Sequence, residues 1–272
     1  MTALLDTVET ERIKVRLAET PEEILAAQKL RYKVFFEEDG AKSSVRAGES
    51  AIDTHGKKID TDEFDAHADI LIAIDKAAGP DPDAYVVGTY RLMRRKGAAA
   101  AGKWYSQAEF DVEKFDSVEG EILELGRSCV AKEYRSAKVM KMMWNALAAY
   151  MFDHGIVLMF GCGTFIGTDP GKFAHALSYL YYWHREKGAL ATRARGGCAH
   201  RMDLLPKDRV DAKLAMRQIP ALIKGYLRVG AKVGGQCWID YGFNGVDVCI
   251  IFKTKNLRPD YKRHYERMKC KR

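Results

Sequence analysis

Residues 121–130, EILELGRSCV, constrain the fold of this chain more than any other stretch. Ile122, Leu123, Leu125, Cys129 and Val130 are core residues, yet Glu124 and Arg127 stand among them with Gly126 between. A short apolar run bounded by polar turns reads as a buried strand. Burying a carboxylate and a guanidinium there is costly unless each finds a partner, so the segment does something a plain core strand does not. Burial raises a carboxylate's pKa, which makes Glu124 the carboxylate best suited to take a proton near neutrality. Gly126 permits a bulge, which re-aims neighbouring side chains and frees backbone N–H groups. Three roles stay open for Arg127: holding Glu124 ionised, pairing with Asp62 or Asp65 to fix a substrate, or neutralising its neighbour with no catalytic part.

The periodicity around that strand predicts a β-rich α+β domain. Residues 12–19 alternate as a first strand, and residues 21–38 form a helix with Ile24, Ala27, Leu30, Val34 and Phe35 on one stripe. Residues 39–62 read as a long polar loop, a length that inside a domain tends to be functional. Strands at 68–75 and 84–94 make a hairpin, and 96–115 is an irregular connection. After the opening strand come a helix over 131–155, a continuous apolar strand over 156–165, helices over 167–188 and 219–231, and a terminal hairpin ending at Phe252. The expected architecture is a mixed, mostly antiparallel sheet flanked by helices, in one domain over residues 1–252 followed by a basic tail, 253–272.

Charge separates that tail from the body. Its twenty residues hold nine Lys/Arg against two Asp/Glu, which accounts for the whole net charge of +7 and leaves the body balanced at 35 against 35. Leu257, Tyr261, Tyr265 and Met268 recur there at helical spacing. The tail is either an amphipathic basic helix for an anionic membrane surface or acidic protein, or a solvated terminus. A nucleic-acid binder would explain the tail but neither the neutral body nor Glu124, so no nucleic-acid partner is expected. No window nears eighteen uncharged apolar residues, the first fifteen residues lack the pattern of a signal peptide, and the six cysteines show no paired spacing. A cytoplasmic protein with reduced thiols is expected, with the tail as its route to the inner face of the membrane. His175 and His184 lie nine apart and share no helix face, so no metal is expected, and His55…Asp60 is a chance H-x4-D match.

Six segments now match a family in order: LRYKVFFEEDGA (30–41), DEFDAHADILIAID (62–75), VVGTYRLM (86–93), WYSQAEFD (104–111), ELGRSCV (124–130) and IKGYLRVGAKVG with DYGFNGVDVCIIF (223–252). The chain resembles the GNAT-like acyltransferases that draw on acyl carrier protein, and within them the L-ornithine Nα-acyltransferases, some labelled hemolysin-like, over roughly residues 12–252. The related N-acyl-homoserine lactone synthases typically read E-x-S-R-F where this chain has Glu124-Leu125-Gly126-Arg127-Ser128.

The resemblance implies a GNAT-like fold and transfer of a 3-hydroxy fatty acyl group from acyl carrier protein to the α-amine of ornithine, the first step of ornithine lipid synthesis. A lactone synthase, or an N-acyl amino acid synthase with another acceptor, is the alternative. It implies catalytic roles for Glu124 and Arg127 and substrate contacts from Arg31, Phe35, Asp62, Asp65, Arg91, Gly126 and Ser128. Arginine suits a substrate carboxylate and the aspartates suit a side-chain ammonium. The family's pyrophosphate loop, R/Q-x-x-G-x-G/A, appears as Arg135 to Met140 with both glycines lost, which argues against coenzyme A as donor. Arg135 and Lys138 then suffice for a single phosphodiester, and Lys132, Arg135, Lys138 and Lys141 suit docking of an acidic carrier protein. No cofactor is expected, because the carrier's phosphopantetheine arm is part of a substrate. Aromatics and methionines in 139–152 and 179–183 line an acyl tunnel or are ordinary core, and Tyr179 loosely matches a general acid of some GNATs.

Overall fold

The computed structural model describes residues 8–42 and 58–257. Eight strands form one sheet: β1 Ile13–Leu17, β2 Asp69–Asp75, β3 Val86–Arg94, β4 Glu121–Val130, β5 Ile156–Ile166, β6 Ala199–Arg201, β7 Lys232–Asp240 and β8 Gly245–Lys253. Their order is β1-β2-β3-β4-β5-β8-β7-β6. Every neighbouring pair is antiparallel except β4 and β5, which run parallel. Seven α-helices accompany the described strands: α1 Pro21–Tyr32, α2 Pro82–Tyr85, α3 Arg95–Ala101, α4 Ala137–Asp153, α5 Ala174–Tyr179, α6 Ala212–Gln218 and α7 Ala221–Val229.

Local chemistry sets the helix ends. The Thr20 side chain accepts from the Glu23 amide and Pro21 occupies the first turn of α1. The Ser136 hydroxyl accepts from the Val139 amide and starts α4 there, six residues later than periodicity predicts. Lys132–Tyr134 instead forms a separate 3-10 turn, because chain leaving β4 must first bend back over the sheet. Gly155, at φ +61°, stops α4 before β5. The helix expected over 167–188 is broken into a 3-10 turn at Pro170–Phe173, α5, and a wide turn at Leu180–His184. The stretch 96–115, read from sequence as irregular, holds α3 and two 3-10 turns, Tyr105–Ala108 and Val112–Ser117.

Alternation along β4 divides the core in two. Leu123 and Leu125 face the larger cluster, which includes Val139, Ala146 and Tyr150 of α4 and Ile223 and Tyr226 of α7. Ile122 faces the smaller cluster, built on Phe64, Trp104, Tyr105, Phe110, Phe115, Phe160 and Cys249. The connection 96–115 thus covers the second face of the sheet and brings backbone to β4. Among the described residues no helix is long and apolar enough to cross a membrane, and Cys129, Cys162, Cys198, Cys237 and Cys249 are free thiols. The tail beyond Leu257, His55 and positions 43–57 of the long loop lie outside the described residues.

Candidate active site

The pairing of β4 with β5 covers only Glu121–Glu124 against Ile156–Phe160, although both strands run on for six more residues. Past Glu124 the two strands part. They still touch at one point, where Gly161 packs against the Leu125 carbonyl so closely that a methyl group there would collide with its oxygen. A narrow cavity fills the gap, lined by Tyr90, Leu125, Met159, Phe160, Gly161, Cys162, Tyr226 and Ile250. Glu124 is therefore the last paired residue before a splay in the middle of the sheet.

Glu124 is 3% exposed. Its Oε2 accepts from the Tyr105 amide at 2.8 Å and its Oε1 from the Ser106 amide at 2.6 Å. The Ser106 hydroxyl and the nearby charge of Arg91 also favour the ionised form, but burial outweighs them and lifts the Glu124 pKa above the usual glutamate range. Among the described residues, no Lys or Arg makes an ion pair with it. Tyr105 and Ser106 went unnoticed in the sequence because they act through main-chain N–H groups, which any residue type supplies.

Opposite Tyr90 of β3, β4 carries two residues, Arg127 and Ser128, so the register slips by one. The left-handed residue of this bulge is Arg127, at φ +52°. Gly126 was expected to supply that freedom; a Cβ there would meet only the Arg91 guanidinium at 3.8 Å, an ordinary contact. A non-glycine residue in the left-handed region costs about 1–3 kcal/mol and persists where its surroundings hold it. Here the Arg127 guanidinium donates to Asp60 at 3.0 Å and to Asp62 at 2.9 Å. It lies between the rings of Tyr105 and Phe243, 4.6 Å from each centroid. Arg127 pairs with the aspartates, so of the three roles open to it, holding Glu124 by an ion pair is excluded.

The remaining acceptor-side residues meet at the same place. Arg31, 1% exposed, donates to Asp60 at 2.8 Å and to Asp65 at 2.7 and 3.0 Å. Arg91 reaches Asp62 at 2.5 Å and Asp65 at 3.1 Å and lies over the rings of Phe64 and Tyr105. Three arginines thus face three aspartates, every side chain no more than 9% exposed, and the set is electrically balanced. Burial pushes Asp62 and Asp65 upward, but the guanidinium charges prevail and hold both below the usual aspartate range. One donor is left over: Nη2 of Arg91 is buried without a hydrogen-bond partner among the described residues. Asp60, which takes both Arg31 and Arg127, was passed over in the sequence as half of a chance motif.

Phe35 packs edge-on against Phe243, the ring that lies against Arg127. Ser128 is half-buried in the bulge and hydrogen-bonds Tyr90. Lys132, Arg135, Lys138 and Lys141 are exposed around the start of α4, with Arg135 tied to Glu38 and to the Val130 carbonyl. Tyr179 stacks on Trp183 and is not part of the cavity lining; Tyr226, which sequence reasoning missed, is. Near Ser106, Glu109, Cys162 and Asp247 bring two carboxylates and a thiol within 4.8 Å of one another, a grouping that chain spacing does not reveal. Within it the Cys162 thiol donates to Glu109 at 3.1 Å.

Residues 30–145 match the acetyltransferase (GNAT) domain family. The chain is 40% identical to the L-ornithine N(alpha)-acyltransferase of Brucella abortus, over 93% of this chain and 88% of that protein. It is 38% identical to the protein of the same name from Rhodobacter capsulatus, over 93% and 95%. Among solved structures it is similar to the AHL synthase LasI, with a TM-score of 0.47 and 14% identity over 90% of this chain and 91% of that one.

Proposed function

The chain belongs to the L-ornithine N(alpha)-acyltransferase family and is an acyltransferase of GNAT fold, and from that premise we propose that it moves a 3-hydroxy fatty acyl group from acyl carrier protein to the α-amine of L-ornithine. The observation that carries the reading is the identity of 35–40% over 93% of the chain.

Amide formation from a thioester needs a neutral amine, a polarised carbonyl and close positioning. Glu124 stands where β4 and β5 part, with a pKa raised by burial and no ion pair among the described residues. It takes the proton of the α-amine, directly or through one water, as the nitrogen attacks the thioester carbon. The thioester carbonyl lies in the splay, where strand edges released from pairing offer N–H groups to the developing oxyanion. Collapse of the tetrahedral intermediate expels the pantetheine thiolate, which takes up a proton as the amide forms. The spare Nη2 of Arg91 suits the acceptor's α-carboxylate, which puts the adjacent amine beside Glu124. Asp60, Asp62 and Asp65, paired with Arg31 and Arg127, hold Arg91 and the bulge in place.

A carrier-protein donor is supported by two features: the exposed Lys132, Arg135, Lys138 and Lys141 at the start of α4, and the absence there of the glycines a coenzyme A pyrophosphate needs. The test is thiol release from carrier protein loaded with a 3-hydroxyacyl chain, across a panel of amino acids. Release with ornithine is expected. No release with any amine would end the reading, and release only with S-adenosylmethionine would make the chain a lactone synthase.

A further inference from the structure

The gap between β4 and β5 is apolar along most of its wall, with Leu125, Met159 and Ile250 facing it. Two hydroxyls interrupt that wall. Tyr90 comes from β3 and Tyr226 from α7, and their oxygens lie 2.5 Å apart, both side chains buried. Ser128, in the bulge opposite Tyr90, interacts with it and so ties the pair to β4. The Tyr226 ring is held by Trp144, 4.6 Å away between centroids, and does not swing freely. Two phenols in mutual contact spend one of their two protons on each other. A ligand atom arriving beside them must return whatever hydrogen bond it displaces, because a buried group left unpaired costs more than a made bond gains.

We infer that the Tyr90–Tyr226 pair is the selectivity station of the donor site and reads a hydroxyl carried on the acyl chain near its thioester end. A hydroxyl both donates and accepts, so it can enter the pair and leave neither phenol unpartnered; a methylene offers nothing, and a keto oxygen only accepts. The apolar remainder of the wall accepts chain of either kind and discriminates weakly. The station lines the splay that opens past Glu124, on the face of the sheet that carries Leu125, and a chain threaded between β4 and β5 from a thioester at Glu124 passes it. This inference rests on the acyl-transfer reading above, and the experiment separates the two.

Wild type, Tyr226→Phe and Tyr90→Phe are compared on carrier protein loaded with a 3-hydroxyacyl chain and with an unsubstituted chain of equal length. The quantity read is the ratio of kcat/KM between the two donors, which cancels any loss of folded or active protein. Wild type is expected to prefer the hydroxylated donor, and each phenylalanine variant to lower the ratio about tenfold. A wild type without preference, or a ratio unchanged in whichever variants fold, overturns the inference while leaving acyl transfer intact. If wild type turns over neither donor with any amine, the acyl-transfer reading itself has failed, and the station falls with it.

Discussion

Glu124 and Arg127 lie three residues apart on β4, and both are buried, but their surroundings differ in kind. Arg127 belongs to a set of three arginines and three aspartates, its guanidinium matched to two carboxylates and lying over two rings. Glu124 has two backbone amides and no ion pair among the described residues. In the first environment the charges neutralise one another and their protonation is fixed well away from neutrality. In the second, burial raises a lone carboxylate toward the pH at which it can exchange a proton. Buried charge of the first kind holds a shape, and buried charge of the second kind is available for chemistry.

That contrast can be broken in several ways. Glu124→Gln keeps the shape of the side chain and removes the base, but sets an NH2 group against one of the two amides; acyl transfer should fall by about 10²–10⁴, with a stability loss of only about 1–3 kcal/mol. A large loss of stability with near-normal turnover of the folded fraction would reverse the assignment. Arg31→Leu should do the opposite, costing about 3–5 kcal/mol of stability by leaving Asp60 and Asp65 under-compensated. Denaturant melts measure it, and a cost below about 1 kcal/mol would show that the network is not what holds the acceptor side together.

The order of these two effects bears on how much of the molecule was legible in the sequence. Glu124 and Arg127 stood out because charge inside an apolar run has to be explained. Arg31, Asp62, Asp65 and Arg91 were legible as a matched set, and the structure does bring them together. Asp60 was not, since nothing in a polar loop marks which aspartate becomes fully buried. The amides of Tyr105 and Ser106 leave no side-chain signature at all. Gly126 drew attention as the flexible residue, while tertiary contacts hold Arg127 in the left-handed conformation instead. The sheet, its hairpins and α1 followed from periodicity, but β6 has only three residues, and the glycines and alanines of 95–102 hide α3. Tyr226 lies on the buried face of α7 and reads as ordinary core until β3 places Tyr90 against it.

Smaller effects sharpen the same division. Reversing Lys132, Lys138 and Lys141 to glutamate should raise KM for the carrier protein about tenfold at low salt, leave kcat nearly unchanged, and lose its effect as salt rises. An unaltered KM at low salt would remove α4 from carrier docking. Gly126→Ala should cost less than about 1 kcal/mol, because the new methyl meets only the Arg91 guanidinium at ordinary contact distance. A severe loss would restore to Gly126 the role the structure gives to Arg127.

The most direct measurement is the pH dependence of kcat at saturating substrates in wild type and Glu124→Gln. Glu124 must be ionised to take the proton, so wild-type kcat should fall as pH drops through a pKa raised above the ordinary glutamate value of about 4.3. The variant should lose that limb and follow only the fraction of neutral α-amine, whose ordinary pKa is near 8. Superimposable profiles of equal height for the two proteins would contradict the account and leave Glu124 as a cap on the Tyr105–Ala108 turn.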